Sequence, residues 1–86
     1  MAKPNEFERD GIRGLVQSCK KEDNLMHFNM GIELEGFVYY QSGTYDYSQN
    51  RFSFDISREE RAEDVQDFII RNGSELIALF EKLDQL

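Results

Sequence analysis

Residues 26–40 read MHFNMGIELEGFVYY, and the hydrophobic period in this stretch decides the fold class. Met26, Phe28, Met30, Ile32 and Leu34 alternate with His27, Asn29, Gly31, Glu33 and Glu35, the signature of a strand with one buried face. Carried unbroken to Tyr40, the strand would have 15 residues and span about 50 Å, too long for a small domain. The spacing therefore predicts a bend at Gly31 or Gly36.

Downstream, Ser42-Gly43 and Ser48-Gln49-Asn50-Arg51 read as hairpin loops joining antiparallel strands at about 32–41, 44–47 and 52–56. A four-residue second loop sets Tyr47 opposite Phe52 and Tyr45 opposite Phe54. The first turn then sets Tyr40 opposite Tyr45 and Val38 opposite Tyr47. One face thereby collects Val38, Tyr40, Tyr45, Tyr47, Phe52, Phe54 and Ile56 as the core side. Phe37 and Tyr39 fall on the opposite face, beside Glu35, Asp46 and Ser53; a bulge at Gly36 would turn both inward.

Upstream, Asn5 with Glu8 resembles a capping box, and Ile12, Leu15, Val16 and Cys19 recur at helical spacing before Lys20-Lys21, predicting a helix over about 6–21. Downstream of the sheet, Ser57-Arg58-Glu59-Glu60 reads as a capping box that opens a second helix near Arg58. Val65, Ile69, Asn72, Leu76, Leu79, Leu83 and Leu86 follow spacings of four and three, a stripe suited to packing on the sheet or to a homodimer seam. Asn72-Gly73 resembles a stop followed by a fresh start, so this helix is either continuous or broken near Gly73. The predicted fold is α+β, in the order α-β-β-β-α: a three-stranded antiparallel meander with an N-terminal and a C-terminal helix, one domain over residues 1–86.

Composition limits the function classes. With 86 residues there is material for one core, and 40% hydrophobic and 13% aromatic content supports it. Seventeen acidic residues against ten basic ones give a net charge of −7, a field that repels phosphate backbones and anionic lipids and attracts basic protein surfaces. Direct nucleic-acid or membrane binding is not expected. Cys19, the lone cysteine, has no internal disulfide partner, and MAKPNEFERD lacks the character of a secretory leader, so a cytoplasmic location is expected.

Chemistry-bearing constellations are sparse. His27, Glu33 and Glu35 share a strand face, but alternate residues lie about 7 Å apart and no second His or Cys completes a zinc set. Cys19 and His27 form no thiol–imidazole pair by any local rule, and there is no phosphate loop or nucleophile elbow. No enzyme, cofactor or metal site is expected. What remains is surface: Glu59, Glu60, Glu63, Asp64 and Asp67 on the outer side of the second helix, together with Glu35, Asp46 and the aromatics Phe37 and Tyr39. The expected function is a small acidic protein-binding module. It would act as an inhibitor or adaptor on a basic surface of a nucleic-acid-processing complex, of the type carried by phages or mobile elements. A structural homo-oligomer, an antitoxin or immunity protein, and a small acidic chaperone are the alternatives, with a cryptic enzyme or metal protein last.

Overall fold

Asp10-Gly11 is a two-residue hairpin turn and not the interior of a helix: both residues have positive φ, 54° and 78°, the geometry whose twist matches paired strands. In the computed structural model, which describes residues 4–85, this turn joins β1 (Glu6–Arg9) to β2 (Ile12–Glu22). Asp23-Asn24 leads into β3 (Leu25–Leu34), and Glu35-Gly36, again with both φ positive, leads into β4 (Phe37–Asp46). A four-residue turn at 47–50 precedes β5 (Arg51–Phe54). The strands form one antiparallel sheet in the order β1-β2-β3-β4-β5, followed by α1 (Ala62–Arg71) and α2 (Gly73–Asp84).

This overturns the three-stranded α-β-β-β-α expectation. The segment expected to be a helix, about 6–21, is the β1–β2 hairpin, and its helical spacing comes from a bulge in β2 between Val16 and Ser18. A bulge shifts the side-chain alternation by one residue. Ile12 and Val16 therefore face the core before it and Cys19 after it, so one strand face acquires the four-then-three spacing of a helix. Asn5 caps nothing helical; its carbonyl accepts from the Val16 N–H at 2.9 Å and its side-chain amide donates to the Val16 carbonyl at 3.1 Å.

The expected turn at Ser42-Gly43 lies inside β4. Gly43 is there for close approach: a Cβ would stand 2.3 Å from the Ser53 carbonyl oxygen and 3.1 Å from the Phe54 Cα. The turn that does exist, Glu35-Gly36, pairs Leu34 with Phe37, so the core phase passes from even residues in β3 to odd residues in β4. Tyr39 and Tyr45 accordingly pack with the core, whereas Val38 and Tyr40, expected inside, are exposed. Tyr47, Phe52 and Phe54 keep their core-side placement, with the β4–β5 register moved by two residues to set Tyr45 opposite Phe52. Ile56 is 98% exposed and no part of the core.

Both helices cover one face of the sheet. Val65, Phe68, Ile69, Leu76 and Phe80 are buried against Val16, Met26, Phe28, Met30 and Ile32. Phe28 stacks on Phe80 with ring centroids 5.1 Å apart and meets Phe52 and Phe54 edge-on. The stripe expected on one helix is used within the chain, since Leu79 and Leu83 also pack on the core; Leu86 lies outside the described residues. The helical segment is broken at Asn72, whose side-chain amide donates to the Phe68 carbonyl at 2.9 Å. Gly73 then starts α2 against Phe52, with an added Cβ only 2.8 Å from the ring. Ser57 does not cap α1, which begins at Ala62; its hydroxyl accepts from the Glu59 N–H within the connecting segment.

Candidate functional site

The face of the sheet opposite the helices has two unlike ends. At the end bearing the Asp23-Asn24 turn, Lys20, His27, Thr44 and Ser53 form one row across the sheet. At the other end, Glu6, Leu15, Gly31 and Tyr40 form a row beside Glu8, Arg13, Glu33 and Val38, the Arg13 guanidinium pairing with Glu33 at 2.7 Å. This second end carries apolar surface. Tyr40 is 53% exposed, and it shares a shallow cleft with Ile56 in the segment leading from β5 to α1. Phe37, 68% exposed, stands at the rim beside the Glu35-Gly36 turn.

Charged residues border this apolar surface, Arg58 lining the cleft beside Glu59. Glu35 reaches the Arg61 guanidinium at 3.4 Å, and Arg61 also binds Asp64 at 2.7 Å, which raises the arginine's pKa chiefly through that hydrogen bond. Glu59 lines the cleft with Tyr40 and Ile56, and Glu60 follows it, exposed. Glu8, Glu33 and Glu35 border a second shallow depression between the Asp10-Gly11 and Glu35-Gly36 turns.

The residues expected at a binding surface are thus only partly assembled. Glu35, Phe37, Glu59, Glu60 and Asp64 belong to the one end. Tyr39, expected on the open face, is half-buried against the core. Asp46 closes the far end of β4, about 30 Å from Phe37 at strand rise; it accepts from the Ser48 hydroxyl and backbone N–H, which lowers its pKa. Glu63 and Asp67 lie on the outer side of α1 around exposed Ile70, with Asp67 paired to Arg71 at 3.0 Å. The residues that the periodicity missed are Val38, Tyr40 and Ile56. Glu-Gly at 35–36, read as a two-residue turn, would have exposed the first two.

Among the described residues, no group of three His, Cys, Asp or Glu side chains is placed to hold a metal ion. His27 and Glu33 point from the same strand face but sit six residues apart, about 20 Å. The Cys19 thiol, half-buried on β2, donates to the Phe80 carbonyl at 3.4 Å, and burial followed by the charge of Asp84 raises its pKa, so thiolate is scarce at neutral pH. No described helix is long and apolar enough to cross a membrane. Compared with protein-family models, with curated proteins and with solved structures, the chain matches none.

Proposed function

We propose that the chain is an acidic protein-binding module of the cytoplasm, acting as an inhibitor or adaptor on a basic surface of a nucleic-acid-processing complex. The observation that carries this reading is the clustering of the exposed apolar side chains Val38, Tyr40 and Ile56 at one end of the molecule beside Glu59 and Glu35, with Phe37 exposed on the other face of the same strand. Isolated exposed apolar residues are ordinary; a contiguous group rimmed by charge is the anatomy of an interface, with aromatic anchors at its centre. The net charge of −7 selects the sign of the partner and speeds encounter with it.

Affinity capture from the native host, with the recovered protein identified by mass, tests this reading. A partner with a basic face should be recovered by the natural chain and lost with the Tyr40→Ser, Ile56→Ser double variant. Capture that survives the double variant, or recovery of acidic proteins alone, counts against it.

A further inference from the structure

β1 and β5 are the end strands of the sheet, and besides them two inner strands run past their neighbours; these two overhangs are built differently. On β2, residues 18–22 run past β1, which pairs only with Ile12–Leu15; there the chain places Lys20, Lys21 and Glu22, and Asp84 accepts the Lys21 N–H. Charges on an edge discourage further strand pairing. On β4, Phe37–Gln41 run past β5, which pairs only with Gly43–Asp46, and these five residues carry no charge.

The direction of the free backbone groups follows from the ladder. Successive residues of a strand turn their N–H and C=O to opposite sides. Since the Ser42 carbonyl accepts from the Asp55 N–H on the β5 side, the groups of Tyr40 and Val38 face that side too. Among the described residues, no backbone hydrogen bond meets them there. The side chains of Val38 and Tyr40 lie across Gly31, where a Cβ would stand 2.9 Å from Val38 Cγ1 and 3.1 Å from Tyr40 Cε1, so they lean away from the edge, and a shallow cleft separates the edge at Tyr40 from Ile56, Ser57, Arg58 and Glu59. Gln41 closes the foot of the cleft: its amide donates to the carbonyls of Ser42 and Asp55 and its oxygen accepts from Gln66.

We infer that the β4 edge at Val38 and Tyr40 is a docking site for an extended basic segment of a partner protein, which adds to the sheet as a further strand. The inference rests on the protein-binding reading above and names how the partner is held. Charge selects the occupant. Residues 55–64 hold five carboxylates and two arginines: Arg61 is paired with Asp64 and Glu35, Arg58 lines the cleft beside Glu59, and the segment is left with a net negative charge. A second copy of the chain would set the same acidic rim against itself, each copy carrying −7. A strand alternating apolar residues with Lys or Arg instead meets the apolar side chains with one face and the rim with the other. The free edge spans about 16 Å, room for four or five residues.

The probes are labelled ten-residue peptides alternating Val or Tyr with Lys, titrated into the purified chain and followed by fluorescence anisotropy. Comparison peptides have the same composition scrambled, or are N-methylated at alternate residues in one phase or the other. The alternating peptide should bind. N-methylation of the phase that faces β4 should weaken it at least about tenfold, while methylation of the opposite phase leaves it unchanged. Equal binding by all peptides would overturn strand addition and reduce the contact to charge, leaving the broader reading to the capture experiment. Absence of binding by every peptide overturns the docking site in the same selective way. Sedimentation of the chain alone completes the test: a micromolar dimer returned to monomer by Val38→Lys would give the edge to a second copy and refute the basic occupant.

Discussion

Gly43 and Tyr47 show how single residues set the limits of this fold. Gly43 lies in the core-side row of Cys19, Phe28 and Phe54, where β5 crosses so closely that no side chain fits. Because the obstructing atoms are backbone, Gly43→Ala cannot be relieved by a rotamer change, and β5 must move off Phe28. A loss of about 3 kcal/mol or more in chemical denaturation is expected; a change within about 0.5 kcal/mol would contradict the crossing. Tyr47 donates its hydroxyl to Glu81 at 3.1 Å beneath the Lys21 ammonium, and burial, reinforced by that hydrogen bond, pushes its pKa up to about 12 from 10.0. The folded state thus holds the phenolic proton more tightly than the unfolded chain. Its stabilising contribution is complete below about pH 10 and is lost as pH rises through about 12. Stability measured across that window should fall less steeply in Tyr47→Phe than in the natural chain; parallel curves would show that Tyr47 is not so held.

At the scale of elements, the turns decide the architecture. The alternation in β3 was legible because nothing interrupts it from Met26 to Leu34. The phase of β4 was not, because it depends on whether Glu35-Gly36 is a bend in one strand or a two-residue reversal between two, and the same letters allow both. Asp10-Gly11 is a hairpin dipeptide that the helical reading of 6–21 passed over, because the bulge near Gln17 gives β2 the spacing of a helix. The two C-terminal helices were legible as an apolar stripe, and the separation at Asn72 takes one of the two courses the sequence left open near Gly73; their start was misread, because Ser57 forms a local turn ahead of α1. The acidic character of the site was readable from composition, whereas its apolar centre depended on the parity of one turn. That turn also yields a test. Glu35 sits at φ 51°, a conformation that Asn tolerates better, and its pairing with Arg61 is solvent-exposed and worth little. Glu35→Asn is expected to stabilise the fold by roughly 0.5 kcal/mol in thermal or denaturant unfolding; a loss of 1 kcal/mol or so would mean the ion pair outweighs the backbone preference.

At the scale of the whole molecule, helices fill one face of the sheet, and the net charge is −7. The two overhanging stretches of its inner strands are treated unequally: lysines stand on β2, and an uncharged Phe-Val-Tyr-Tyr-Gln run stands on β4. That asymmetry is the basis for assigning a docking role to one edge and not the other. Residue-resolved amide hydrogen exchange tests it most directly, because it reports which backbone groups are paired. In the chain alone, Val38 and Tyr40 should exchange much faster than Tyr39 and Gln41, whose N–H groups face β3, and addition of the alternating basic peptide should slow Val38 and Tyr40 selectively. Uniform protection from Phe37 to Gln41 in the free chain, or no slowing of Val38 and Tyr40 with peptide bound, would contradict the account.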